Sequence, residues 1–223
     1  MAAGLFITGT GTGVGKTYVA ALIAHSLRES GARVGVYKPV ASGCEMLGGK
    51  LVSPDAVAMW QAAGQPGMLD QVCPQVFGAP LAPHLAARAE GRKVDANQLR
   101  SGIEYWRETS DFVIVEGAGG LMSPIGDDDY NADLAEEFGF PLVVVAANEL
   151  GAINATLQTL ITASTYRDGL NVAGIVLNSP RTVENDPSTD SNADELARRC
   201  VPPVLAVVGH AGTFDREVNW AHI

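Results

Sequence analysis

Apolar runs rich in β-branched residues alternate along this chain with segments whose apolar positions recur every three or four residues. That alternation marks strands and helices in turn, and hence an α/β protein with a mostly parallel central sheet and helices on both faces. The runs predict strands at residues 5–8, 33–37, 111–116, 141–147, 171–177 and 204–208. Most are continuously apolar, as expected of strands covered on both sides. The first helical segment runs from about Lys16 to Ser30 and stops at Gly31, a C′ glycine. Ser53-Pro54-Asp55 combines an N-cap, a proline at the first helical position and an acid in the first turn. Asp95 with Gln98 predicts a capping box for a helix through Glu108. Residues 41–52 are glycine-rich and read as a loop, as do the polar residues 181–194. No repeat or linker breaks the pattern, so residues 1–223 are expected to form one domain.

The first run enters a turn with unusual chemistry. Leu5-Phe6-Ile7-Thr8 is followed by Gly9-Thr10-Gly11-Thr12-Gly13-Val14-Gly15-Lys16-Thr17, after which the helical pattern starts. Glycines let backbone N–H groups point inward, and a helix N-terminus adds partial positive charge, which together make a phosphate cradle. Lys16 can reach the outer phosphates, and the Thr17 hydroxyl can ligate Mg²⁺. The usual motif has four residues between its first glycine and Gly-Lys; here Thr10 holds that place and Gly9 lies one earlier. Glycine-rich turns also bind dinucleotides, but Gly-Lys-Thr after a strand favours a nucleoside triphosphate.

In an open parallel sheet, ligands bind beyond the carboxyl ends of the strands, so polar residues there are candidates. Lys38, in Tyr37-Lys38-Pro39-Val40-Ala41-Ser42-Gly43, is either an ordinary solvated residue or a second cation on phosphate oxygens. Glu116, ending Val113-Ile114-Val115 and followed by Gly117-Ala118-Gly119-Gly120, stands where a Mg²⁺ ligand or water-holding carboxylate belongs. Asp55 has a plain alternative, since acids in a first helical turn are common for macrodipole reasons alone. The start of a helix at Gly151, Ala152, Ile153 and Asn154 offers a further anion site. Asn178 ends another strand and either reads a base edge or caps a turn.

Bulk properties narrow the field. Hydrophobic residues make up 47% and charged residues 18%, an ordinary globule with a large core. The net charge of −10 argues against non-specific nucleic-acid binding and requires any polyphosphate site to be locally basic. Cys44, Cys73 and Cys200 form no Cys-x-x-Cys, which favours a reducing compartment. The N-terminus lacks the basic region of a signal peptide, and the longest apolar run, 142–147, is far short of a membrane span. A cytoplasmic protein is expected.

Several motifs occur together in order: the glycine-rich turn, Tyr37-Lys38-Pro39-Val40-Ala41-Ser42-Gly43, Ser53-x-Asp55-Ala56, Pro83-His84, Val115-Glu116-Gly117-Ala118-Gly119-Gly120 and Leu150-Gly151-x-Ile153-Asn154. Between about residues 5 and 178 the chain thereby resembles the dethiobiotin synthetases, ATP-dependent cyclo-ligases of the P-loop NTPase superfamily. The resemblance implies a homodimer that joins CO₂ (or bicarbonate) to 7,8-diaminononanoate at the expense of ATP, with Mg²⁺. It implies ATP contacts from Gly13, Val14, Gly15, Lys16, Thr17, Asp55, Glu116, Gly117, Ala118, Gly119 and Asn178, the last facing adenine. Thr17, Asp55 and Glu116 would hold the metal, and Lys38 and Lys16 would be catalytic. Thr12 and Ser42 would contact the diamine, whose carboxylate would be met across the dimer interface by Gly151, Ala152, Ile153 and Asn154.

The chain departs from the family pattern in three places. Gly13 stands where some members carry an acid, and Glu149 where some carry lysine. Val207-Val208-Gly209-His210 lacks the proline often found near the family's second nucleotide strip. Two other classes share the phosphate loop. Amide-forming ligases of corrin synthesis and CTP synthetase append a glutaminase region, for which 223 residues leave no room. Septum-site and chromosome-partitioning ATPases carry a lysine early in the loop, and none precedes Lys16 here.

Overall fold

A computed structural model describes residues 2–182 and 185–223. The elements follow in the order β1 (Ala3–Gly9), α1 (Lys16–Glu29), β2 (Val34–Tyr37), β3 (Glu45–Leu47), β4 (Lys50–Val52), α2 (Pro54–Ala62), α3 (Leu69–Val72), α4 (Pro83–Ala89), α5 (Ala96–Thr109) and β5 (Phe112–Glu116). The second half adds α6 (Asn131–Phe138), β6 (Leu142–Ala147), α7 (Ala152–Thr165), β7 (Val172–Asn178), α8 (Ser188–Arg199), β8 (Val204–Val208) and a terminal 3₁₀ turn at Trp220–His222. The main sheet has the order β2-β5-β1-β6-β7-β8, and each neighbouring pair is parallel. All six predicted strands are present, displaced by at most two residues at either end.

The core lies along the sheet because the central strands are apolar without interruption. Leu5, Phe6 and Ile7 of β1, Val113, Ile114 and Val115 of β5, and Val143, Val144 and Val145 of β6 are completely buried. Val19, Ala20, Ile23 and Ala24 supply the buried stripe of α1 at three- and four-residue spacing. That helix ends as predicted, with Ser30 as C-cap and Gly31 at φ 93°.

Three expectations need correction. Residues 41–52 contain an antiparallel hairpin, β3 with β4, turning at Gly48 and Gly49 with φ of 58° and 82°. Residues 181–194 are not wholly a loop, because α8 begins at Ser188. Its apolar stripe is too narrow to register in a polar sequence: Leu196 and Asn192 are its buried positions. Val183 and Glu184 of that stretch lie outside the described residues. The Asp95–Gln98 box is half formed. Asp95 caps the N–H groups of Asn97 and Gln98, but its own N–H donates to Gln75 Oε1 at 2.8 Å, not to Gln98. A distant side chain took the partner that a local one was expected to supply.

Candidate active site

The turn from β1 to α1 forms the floor of a cavity of about 720 Å³. Gly13 and Gly15 take φ of 79° and 92°, left-handed values that turn successive N–H groups toward it. Gly15 is the N-cap of α1 and no side chain caps the helix, so the first-turn N–H groups have no side-chain partner. A Cβ on Gly15 would stand 2.0 Å from the Asn178 amide nitrogen, so the position admits only glycine. Asn178, 2% exposed, donates that nitrogen to the Val14 carbonyl at 2.9 Å and thereby braces the loop from the end of β7. Neither reading of Asn178 as base reader or turn cap anticipated this role. Val14 is itself buried, and its carbonyl is engaged by Asn178.

Four charged side chains meet above this floor. Tyr37 of β2 pairs with Val115 of β5, so in a parallel register the next residues, Lys38 and Glu116, leave the sheet side by side. Lys38 Nζ lies 2.9 Å from Glu116 Oε1 and 3.1 Å from Asp55 Oδ2. The Thr17 hydroxyl donates to the same Glu116 oxygen at 2.9 Å. Lys16 Nζ donates to the Gly11 carbonyl at 3.1 Å. Asp55 is brought in by the Ser53 cap, whose hydroxyl accepts the Ala56 N–H at 3.2 Å and fixes the start of α2. With two lysines against two carboxylates, the lining is charge-balanced rather than basic as expected.

The pair of lysines is split electrostatically. Burial works against the charge on Lys38, yet Glu116 and Asp55 outweigh it and hold its ammonium above the ordinary lysine range. Lys16 is also buried, and there desolvation prevails over the attraction of Glu116, bringing its pKa below the ordinary value. Lys16 is therefore the first of the two to lose its proton in alkaline solution. Burial pulls the Asp55 carboxyl upward, but Lys38 outweighs it and the group sits below its usual range.

Glu116 is 1% exposed, and its second oxygen, Oε2, is buried without a hydrogen-bond partner. A buried carboxylate oxygen left so is costly unless a cation takes it. Together with the Thr17 hydroxyl and Asp55 it makes an all-oxygen donor set, which fits Mg²⁺. Among the described residues no three His, Cys, Asp or Glu side chains converge as a self-sufficient metal cage. That also suits an ion that keeps waters and takes phosphate oxygens.

The cavity brings together Thr12, Gly13, Gly15, Lys16, Thr17, Lys38, Ser42, Asp55, Glu116, Ala118 and Gly119 of the predicted set. Val14, Gly117, Asn178, Gly151, Ala152, Ile153 and Asn154 do not line it. The walls include groups that sequence reasoning missed: Tyr18, Leu81 and Ser123. Ser123 accepts the Gly120 N–H at 2.8 Å, and buried Asn131 donates to the carbonyls of Ala118 and Gly120 at 2.7 and 2.8 Å. This loop is thus pinned by α6, a tie between distant residues that no local pattern announces. Among the described residues no helix is long and apolar enough to cross a membrane.

Parallel sheet, glycine-rich cradle, invading lysine and Thr–carboxylate pair define a P-loop nucleotide-dependent enzyme. Residues 3–217 match the AAA domain family. The chain is 46% identical over 219 residues to the ATP-dependent dethiobiotin synthetase BioD of Rhodopirellula baltica, spanning 93% of this chain and 84% of that one. With the protein of the same name from Aromatoleum aromaticum it shares 38% over 213 residues, 94% of this chain and 92% of the other. The fold is similar to the septum site-determining protein MinD complexed with Mg-ADP from Pyrococcus horikoshii. There the TM-score is 0.55 at 18% identity, with 94% of this chain and 82% of that one covered. The chain belongs to the dethiobiotin synthetase family.

Proposed function

We propose that the protein is a single-domain, cytoplasmic, homodimeric dethiobiotin synthetase that uses ATP and Mg²⁺ to close a ureido ring on 7,8-diaminononanoate. The observation that carries this reading is the convergence of Lys16, Lys38, Thr17, Asp55 and Glu116 on one cavity above the phosphate cradle. One amine adds to CO₂, forming a C–N bond and releasing a proton to give a carbamate. A carbamate oxygen then attacks the γ-phosphorus of ATP, and ADP leaves. The second amine attacks the activated carbon and gives up a proton to the departing phosphate as the C–O bond breaks, and the ring is closed.

The chain's own residues position and neutralise. Gly13, Gly15, Lys16 and Thr17 hold the phosphates, with Val14, Gly117, Ala118 and Gly119 contributing main chain. Lys38, kept charged by its carboxylate neighbours, faces the charge that develops on the transferred phosphoryl group. Thr17, Asp55 and Glu116 would hold Mg²⁺, which would offset the negative charge of the phosphates. Thr12 and Ser42 flank the diamine, and Asn178, while bracing Val14, lies on the adenine side. Gly151, Ala152, Ile153 and Asn154 serve the partner's site, which accords with their absence from the cavity of their own subunit. No nucleic acid or membrane takes part.

Incubation with 7,8-diaminononanoate, bicarbonate, ATP and Mg²⁺ tests the reading by mass spectrometry. Dethiobiotin in stoichiometry with ADP is expected. ATP hydrolysis that ignores the diamine but responds to DNA or lipid would replace the ligase reading with that of a nucleotide switch.

A further inference from the structure

Tyr18 follows Lys16-Thr17 in the first turn of α1 and lines the cavity while remaining 39% exposed. Its hydroxyl donates to the carbonyl of Gly212 at 2.7 Å. Gly212 lies in the loop after β8, at the opposite end of the sequence. The base of that loop is independently secured. Asp215 accepts the Val207 N–H at 2.7 Å and donates its own N–H to the Val207 carbonyl at 2.9 Å. Phe214 packs on Trp220 at 4.9 Å between ring centroids. The crown at residues 209–213 is largely exposed. It turns through Ala211 at φ 50° and a Gly212 N–H donation to Gly209 at 3.0 Å.

Sheet order says what lies beside this crown. Lys38 and Glu116 leave β2 and β5 on one side of β1, whereas Asn178 and the 209–213 loop leave β7 and β8 on the other. Lys38, Asp55 and Glu116, suited to a terminal phosphoryl and its metal, cluster on the first side, with Lys16 and Thr17 on the cradle between the two sides. A triphosphate seated on Gly13–Thr17 with its terminal group toward Lys38 therefore directs its nucleoside to the second side, past Tyr18. We infer that Tyr18 is a nucleoside-positioning residue: its ring forms a wall for ribose and base, and its hydroxyl clips the 209–213 loop into the opposite wall. This rests on the nucleotide reading of the cavity, and assigns a device that the missing proline near His210 left unidentified.

Tyr18→Phe keeps the ring and removes the donor; Tyr18→Ala removes both. Calorimetry with ADP in Mg²⁺ buffer, and separately with inorganic tripolyphosphate, distinguishes nucleoside from phosphate contacts. ADP binding is expected to weaken about 5-fold in Tyr18→Phe, as for loss of one net hydrogen bond, and further in Tyr18→Ala. Tripolyphosphate affinity should stay within about 2-fold, a margin well below that of one hydrogen bond. The steady-state change should fall on KM for ATP rather than kcat, and the amides of 209–213 should exchange faster in Tyr18→Phe. Unchanged ADP affinity in Tyr18→Phe overturns the inference. So does an equal loss for tripolyphosphate, which would assign Tyr18 to the shape of the phosphate loop alone. Both ligands bind without the diamine, so the result is independent of whether the diamine is the substrate.

Discussion

Lys38 and Glu116 form a pair that resists replacement, because each is nearly sealed from water and each is the other's neutralising partner. A buried charge deprived of its partner is costly, which couples catalysis to stability at this position. In the proposed reaction Lys38 acts on charge that exists fully only in the transition state. Lys38→Ala is therefore expected to lower kcat by about two to three orders of magnitude, with KM for ATP changed far less. Its melting temperature should also fall, since Glu116 loses a partner. Steady-state kinetics on protein verified as folded by circular dichroism checks this, and a near-normal kcat would return Lys38 to the status of a structural counter-ion. The identities of both residues were legible as polar ends of apolar strands. Their contact was not, because it depends on the β2–β5 register.

Among the elements, α8 shows how a polar segment earns a fixed place. Asn192 donates to Asn148 Oδ1 at 2.9 Å and to the Glu149 carbonyl at 3.2 Å, and Asn148 donates to the Thr189 carbonyl at 3.1 Å. Asp186, just before the helix, accepts the Leu150 N–H at 3.0 Å, and Arg181 pairs with Glu149 at 2.9 Å. These contacts all seize the segment that leads into α7, whose N-cap is Gly151. Asn192→Ala leaves two acceptors without their donor and should destabilise the fold by about 1–3 kcal/mol. A lower urea midpoint at unchanged m is the expected signature. If α7 presents its N-terminus to the diamine carboxylate, KM for the diamine rises in the same variant. A variant as stable as the parent would show that solvent replaces the lost donor. The pattern along residues 181–194 hid this helix because its fully buried apolar anchor, Leu196, lies beyond that stretch, and the stretch itself is held by hydrogen bonds, which periodicity does not detect.

At the scale of the whole molecule the proposed site is divided. The phosphate cradle, both lysines and both carboxylates lie in one cavity, while α7 begins outside it. An adjoining groove, which shares Thr12, Ser123 and Pro124 with the cavity, runs along Ala155, Gln158, Thr159 and Thr162 of α7 to Thr10, Gly11 and Met122 beside the cradle. If a second subunit brings its own α7 start to the cavity, two inactive proteins complement each other. Gly151, at φ 101°, resists substitution, so the block is better placed at exposed Asn154. Mixing Lys16→Ala with Asn154→Trp should restore about a quarter of wild-type activity, because random exchange gives half heterodimers with one intact site each. Verified heterodimers without recovered activity would place the entire site in one chain.

By itself the sequence determined the strands, the phosphate loop and the residue types at the strand ends. These follow from short-range rules: burial on two faces demands unbroken apolar runs, and a cradle of N–H groups demands glycines before Lys16 and Thr17. The motifs from Gly9 to Asn154 were enough to suggest the family. Tertiary structure alone decided which of those residues meet. It joined Lys38 to Glu116 through strand register, turned Asn178 onto Val14, carried Tyr18 to Gly212 and left an oxygen of Glu116 buried without a partner. Each of these contacts joins residues far apart in the chain, and such partners are chosen by packing of the whole sheet rather than by any local pattern of polarity.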